Sequence, residues 1–269
     1  MARNLGDKAL SLYTALIVLY VYLPIIFLIL MSFKSGSSIS FPIEGFTLFW
    51  YVGPITMGLQ GGFINDPMMM TSLWNSFVVA SISMAIGSLL CIGTGLCLRK
   101  EFRLKNFVFF LLLLGMMTPG VIHGISTLIV IRVLSIPESP VITALTHVVW
   151  AVPFGILLLM PRFDPKLTRY EEAARILGAT EWQVFKEITF PLISSPAIGV
   201  MLFMFTLSWG ELLRSAFVTP VVSPTLPVYI YSQLTSQPQT PKFYAVGTTV
   251  AAISIVLMTL SGVLITRKK

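Results

Sequence analysis

Residues 9–33 read ALSLYTALIVLYVYLPIIFLILMSF, a run of 25 residues from Ala9 to Phe33 without one charged side chain. A hydrocarbon core about 30 Å thick is crossed by about 20 helical residues, so this run is long enough to span a bilayer. It is too long for a signal-peptide core and has no small-residue cleavage site, so it is read as a retained first helix. In lipid every backbone N–H and C=O must be bonded internally. Only helices or closed barrels achieve that, and runs of this length are not barrel strands.

Five more stretches follow the same logic, at about 71–98, 106–131, 139–161, 192–218 and 243–266. All are uncharged except the fifth span, which carries Glu211 and Arg214 near its end. The expected fold is therefore an all-α integral membrane protein of six transmembrane helices, with residues 1–269 as a single transmembrane domain. Composition agrees: 55% of residues are hydrophobic and 11% charged, where soluble domains carry about 25% charged residues. Cys91 and Cys97 lie six apart in an apolar segment, neither a disulfide framework nor a metal pair, and are read as packing residues.

Charge sets the expected orientation. Arg3, Lys8, Arg99, Lys100, Arg103, Lys105, Arg162, Lys166, Arg169, Arg175, Lys186, Arg267, Lys268 and Lys269 fall on one side, fourteen in all. Lys34, Arg132 and Lys242 fall on the other. The positive-inside rule places both termini of this multi-pass protein in the cytoplasm. The net charge of +7 is accounted for by this asymmetry, and no aromatic-interleaved basic patch points to nucleic acid. Two outer loops are long. In the first, Phe46, Phe49, Trp50 and Tyr51 are expected along the membrane interface. In the second, five prolines between 219 and 242 forbid one regular helix, with a short helix expected over 228–235.

The cytoplasmic loop 162–191 is more elaborate than a connection needs. Thr168 with Glu171 has the spacing of a capping box opening a helix through Ala173, Ala174 and Leu177. Gly178 stands where a left-handed cap would want glycine. Thr180 with Gln183 repeats the box and opens a second helix carrying Trp182, Phe185 and Ile188, before Pro191 begins the next span. Small residues for close approach beside aromatic ones describe a knob that packs under its own helices or enters a partner's groove.

Glu172-Ala173-Ala174, then Gly178, then Ile188 and Pro191, resembles the EAA loop of the permease subunits of type I ABC importers, with Phe190 where leucine is usual. The resemblance implies that Glu172, Ala173, Ala174, Gly178, Trp182, Phe185, Ile188 and Pro191 form an ATPase-coupling helix between spans four and five. It implies as partners two ATPase subunits, a second permease chain (a homologous partner or a copy of itself), an external solute-binding protein and the lipid bilayer. ATP and Mg would sit on the ATPase, with no cofactor on this chain and no enzymatic activity of its own; no Walker pattern occurs in the sequence. Gly45-Phe46-Thr47 with Trp50-Tyr51, Met116-Met117-Thr118-Pro119, and Phe205-Thr206-Leu207-Ser208 are similar to the spermidine/putrescine branch. Where that branch tends to carry acids, this chain has Gly120 and Trp209-Gly210-Glu211, so a zwitterionic or anionic amino compound stands beside a polyamine-like solute.

Intramembrane charge costs about 2.5–3.5 kcal/mol on insertion scales and usually faces a pathway or a partner. Glu211 and Arg214, three apart on one helical face, are therefore candidates for the substrate path, or else a mutual pair snorkelling at the outer end of span five. Thr118 and His123 in span three are further path candidates. His123 and His147 share no metal or catalytic spacing, and each is read as a satisfied interhelical hydrogen-bonding residue. The alternatives, an ion-coupled secondary transporter and an intramembrane protease, would need midplane acids or a converging Ser-His-acid set.

Overall fold

The computed structural model of the chain describes residues 5–55, 61–163, 165–236 and 238–266. Arg3, Arg267, Lys268 and Lys269, counted above for orientation, and residue 164 of the coupling loop lie outside them. The helices are α1 (Leu5–Ser32), α2 (Phe49–Val52), α3 (Pro67–Leu98), α4 (Lys105–Met117), α5 (Gly120–Val133) and α6 (Pro140–Leu159). They continue with α7 (Pro165–Ile176), α8 (Glu181–Val184), α9 (Phe190–Trp209), α10 (Ser215–Val218), α11 (Leu226–Ser236) and α12 (Pro241–Thr266). Among the described residues the only β-type pairing is an isolated bridge between Lys34 and Phe46.

Five helical stretches are long and apolar enough to cross a membrane, and a sixth is reached if α4 and α5 form one bent span. Their outward surfaces confirm what surrounds them. Tyr20 is 80% exposed, and Leu10, Leu89, Phe107 and Val256 are likewise exposed on their own helices. Water would not tolerate apolar patches of this extent, and hydrocarbon does.

Two expected spans are interrupted, each for a local reason. The stretch 106–131 is bent by 103° at Thr118-Pro119 instead of running straight. Pro119 lacks an N–H and pushes the residue before it out of the helical region, and Thr118 is extended, with ψ of 124°. The stretch 192–218 stops at Trp209 and resumes only at Ser215. Glu211 and Arg214 therefore lie in a break between α9 and α10, not on a continuous helical face. Glu211 Oε1 accepts from the Arg214 N–H at 3.0 Å, so the carboxylate ties the turn that replaces the helix. The short outer helix expected over 228–235 is present as the longer α11.

The chain divides into two compact units. The first comprises residues up to 70 and 233–253. Within it Trp50 is buried rather than interfacial, donating through Nε1 to the Lys34 carbonyl at 2.8 Å. Phe46 does lie exposed. The two lysines of this unit on the charge-poor side are buried with partners: Lys34 Nζ donates to the Ser38 carbonyl at 2.9 Å and to Ser40, and Lys242 Nζ pairs with Asp66 at 2.8 Å.

The second unit, 71–232 and 254 onward, holds the core. Cys91, Val148, Ala151, Val152, Ile156, Val200 and Met204, from α3, α6 and α9, form its centre. Cys91 is packed there as expected, its thiol 3.4 Å from the Val152 carbonyl. The end of α12 is fastened to α9 by hydroxyls: Ser261 donates to the Gly199 carbonyl at 2.7 Å and Ser195 to that of Leu264 at 3.2 Å.

Candidate functional site: a capped elbow and an intramembrane charge cluster

The loop between α6 and α9 folds into a capped elbow. α7 ends in a Schellman arrangement, with Gly178 N–H donating to the Arg175 carbonyl and Ala179 N–H to that of Ala174, each at 3.0 Å. Gly178 has φ of +87°, the left-handed value that glycine adopts without penalty. Thr180 then caps α8 with the expected box: its hydroxyl accepts from the Gln183 N–H at 3.4 Å, and the Gln183 side chain accepts from the Thr180 N–H at 2.7 Å. The Arg175–Glu181 ion pair, 2.6 Å, bridges the two helices across the elbow.

The first predicted box is not built. α7 already begins at Pro165, which puts Thr168 and Glu171 inside the helix. Their side chains are used differently. Arg99, at the end of α3, donates to Glu171 at 2.7 and 3.0 Å and to the Thr168 hydroxyl at 3.2 Å. Thr189, in the wide π-type turn Phe185–Thr189, donates to Glu171 at 2.6 Å. One nearly buried carboxylate thus joins three segments of the chain. Burial pushes the Glu171 pKa up, but the hydrogen bonds from Arg99 and Thr189 and the charges of Arg99 and Arg175 outweigh it. The net position lies below the usual carboxylate value. A cavity of about 320 Å³ lies beside this anchor, lined in part by Arg99, Glu171, Arg175 and Phe185.

The outer edge of the elbow is apolar and bare. Ile176 is 86%, Leu177 88% and Trp182 67% exposed. Glu172, Ala173 and Gly178 are exposed with them, whereas Ala174, Phe185 and Ile188 are half-buried. Trp182 stacks on Phe185 with ring centroids 5.8 Å apart, which holds the indole in place. An ordered apolar edge on a loop otherwise rich in charge is the surface a partner's groove would take up.

The second site lies within the membrane-spanning part of the same unit. The two helix breaks meet: a Cβ at residue 120 would stand 3.0 Å from Leu213 Cβ and 3.2 Å from Arg214 Nη1, so the side chains of one break pack tightly on the glycine of the other. Three of the four path candidates converge there. Arg214, 5% exposed, pairs with Glu211 at 3.1 Å and donates through Nε to His123 Nδ1 at 3.3 Å. The pair is thus mutual, as one reading of the sequence had it, but buried rather than snorkelling to water. Thr118 does not join it; its hydroxyl donates to the Leu114 carbonyl at 2.9 Å and shapes the break.

Two residues of α6 stand behind this cluster: Trp150, to which the sequence assigned no role, and His147, which has the interhelical hydrogen bonds expected of it. Trp150 lies flat beneath Arg214, with Cζ 4.0 Å from the ring centroid. A desolvated cation–π contact of this kind contributes about 2 kcal/mol. His147, one turn earlier on α6, is wholly buried and bonded through both ring nitrogens, to Ser208 at 2.7 Å and Ser215 at 2.9 Å. The helical spacing of His147 and Trp150 was visible, but nothing in the sequence showed that α10 would fold back to meet them.

Comparison with known proteins bears on both sites. Residues 87–269 match the family described as binding-protein-dependent transport system inner membrane component. The chain is 30% identical over 251 residues to the spermidine/putrescine transport system permease protein PotC of Escherichia coli, covering 93% of this chain and 90% of that protein. It is 26% identical to the putrescine transport system permease protein PotI of Escherichia coli, over 80% of this chain and 76% of that one. Its fold is shared with a solved bacterial ABC transporter involved in the import of the acidic polysaccharide alginate: TM-score 0.67, 17% identity and full coverage of both chains. The matched stretch takes in the capped elbow and the charge cluster alike, and on this footing the chain belongs to the inner-membrane permease components of binding-protein-dependent ABC importers.

Proposed function

We propose that this chain forms half of the membrane passage of an ATP-driven importer, with six spans, both termini in the cytoplasm and the capped elbow docked on an ATPase subunit. Two ATPase chains, a second permease chain and an external solute-binding protein complete the assembly. The observation that carries the reading is the elbow itself. Its bare edge of Ile176, Leu177 and Trp182 is mounted on a Schellman turn and a capping box, and is fastened to α3 through Arg99 and Glu171. Such a mount transmits force instead of flexing. Closure of an ATPase dimer would push on the elbow, and the push would reach α3 and α9 through Glu171 and Thr189.

The solute is a small hydrophilic organic compound bearing an amine, as the names of the spermidine and putrescine permease relatives suggest. The cluster at the helix breaks favours a zwitterion or anionic amino compound over a bare polycation, because Arg214 already occupies Glu211 and stacks on Trp150. The test has two arms. Tagged chain extracted in mild detergent is expected to bring down an ATPase subunit, and Trp182→Ala with Leu177→Ala is expected to lose it. Recovery of the ATPase at full yield by that variant would overturn the docking assignment. In proteoliposomes carrying the external binding protein, uptake of labelled spermidine is compared with that of a labelled amino-acid derivative; spermidine uptake alone would refute the preference for a zwitterion.

A further inference from the structure

The buried histidine of α6 belongs to a hydrogen-bonded chain whose direction can be worked out. Ser83 Oγ donates to the Ala144 carbonyl at 3.1 Å, which uses its only hydrogen, since a carbonyl can do nothing but accept. Ser83 must then accept from Ser208, whose Oγ lies 3.1 Å away. With its own hydrogen used there, Ser208 can meet His147 Nδ1, at 2.7 Å, only as an acceptor. Nδ1 therefore carries the imidazole proton. His147 Nε2 is left as a lone pair, and it takes the hydrogen of Ser215 at 2.9 Å. This tautomer is assigned from the network, as such assignments are. All four side chains are buried, with Ser83, His147 and Ser215 at 0% exposure and Ser208 at 4%, so no water competes for these bonds.

The chain runs from α10 to α6 to α9 to α3, and its free end is the residue next to Arg214. From this we infer that His147 is a positioning residue: through Ser215 it latches the start of α10, and so holds the Glu211–Arg214 break on the helix core. The break needs such a hold. Between Trp209 and Ser215 no helical ladder runs, and Leu213 stands 53% exposed at its middle. A second contact is weaker: the Thr143 hydroxyl shares its one hydrogen between the Ser139 carbonyl at 3.2 Å and the Val218 carbonyl at 3.3 Å, and it reaches only the far end of α10. The inference rests on the reading that the break belongs to the transport machinery, but the latch itself is testable without a solute.

Asparagine and glutamine separate the two arms of the imidazole. Asn places its amide nitrogen near the Nδ1 position and keeps the Ser208 bond while losing Ser215. Gln places its amide oxygen near Nε2 and keeps the Ser215 bond while losing Ser208. The probe is a small methanethiosulfonate reagent reacting with Leu213→Cys in a Cys91→Ser/Cys97→Ser background, in the transporter purified with its ATPase. Loss of one buried hydrogen bond is expected to raise the labelling rate about five- to tenfold. His147→Asn and Ser215→Ala should both show this rise, the double variant should be no faster than either single, and His147→Gln should stay within about twofold of the parent. Equal rates for Asn and Gln, or additive rates in the double, would mean general loosening and overturn the latch. Should the histidine variants fail to assemble, Ser215→Ala carries the test alone, and unchanged labelling in it overturns the proposal. Normal uptake by Glu211 and Arg214 variants would retire the pathway reading and leave this labelling result standing.

Discussion

Replacing Gly178 tests whether the elbow acts as a rigid lever. Its φ of +87° is a left-handed conformation, and nothing lies within 4 Å of the position a Cβ would occupy. A substitution there meets no neighbour, so its whole cost is in the backbone. For an ordinary L-residue that cost is about 1–2 kcal/mol, and a β-branched residue lies at the upper part of the range of about 1–3 kcal/mol for strained backbone positions. Asparagine, which visits this region, should cost least. The order of function expected is Gly, then Asn, then Ala, then Val. Since about 1.4 kcal/mol is a factor of ten, Gly178→Val should lower the equilibrium constant for the correctly set elbow by roughly 10–100-fold, while Gly178→Asn lowers it several-fold at most. The hydrogen bonds at risk are the two Schellman bonds to Arg175 and Ala174. The assay is copurification of the ATPase subunit, with solute-stimulated ATP hydrolysis in vesicles and membrane insertion measured in parallel. Insertion should be normal throughout. A Gly178→Val variant that couples as well as the parent, or an Asn variant worse than Val, would refute the reasoning.

Three further outcomes are expected. A cysteine at Thr180, with Cys91 and Cys97 replaced by serine, should react with an impermeant thiol reagent only in inverted vesicles; labelling from outside intact cells would reverse the orientation. Because the Glu171 pKa is lowered by folding, its stabilisation is full above the ordinary carboxylate pKa of about 4.3 and is lost as pH falls through the lower folded value. Protease resistance of the elbow should therefore decline on acidification below about pH 4.3 in the parent, and Glu171→Gln should be weaker at neutral pH with a flatter profile. Breaking the Glu211–Arg214 pair by Glu211→Gln leaves a buried cation uncompensated, a loss whose upper limit is the value for a fully buried pair, about 3–5 kcal/mol. The single variant should be poorly inserted and inactive, whereas Glu211→Gln/Arg214→Gln should recover insertion without recovering uptake. Full uptake by the double variant would make the pair purely structural.

How far the sequence could be read follows from the range of the forces involved. The apolar runs specified spanning helices because lipid imposes a local rule: about 20 residues without charge, with every backbone group bonded inside its own segment. The Thr180–Gln183 box and the glycine cap were legible for the same reason, since each is closed by bonds between residues only a few positions apart. The Thr168–Glu171 box had identical spacing and failed, because Arg99 and Thr189, 72 and 18 residues from Glu171, offered its carboxylate better partners.

By itself, then, the sequence determined the all-α membrane class, the capped turn of the elbow and the identity of the charged residues in the spans. Only the tertiary structure decided that spans three and five break, that the breaks meet at Gly120 and Leu213, and that Glu211, His123 and Trp150 gather around the buried Arg214. Proline and glycine permit a break but do not compel one, as Pro153 within the continuous α6 shows. What makes a break persist is its contacts with distant segments. His147 and Ser215, 68 residues apart, have no shared pattern in the chain, and only folding puts a lone pair opposite a hydroxyl.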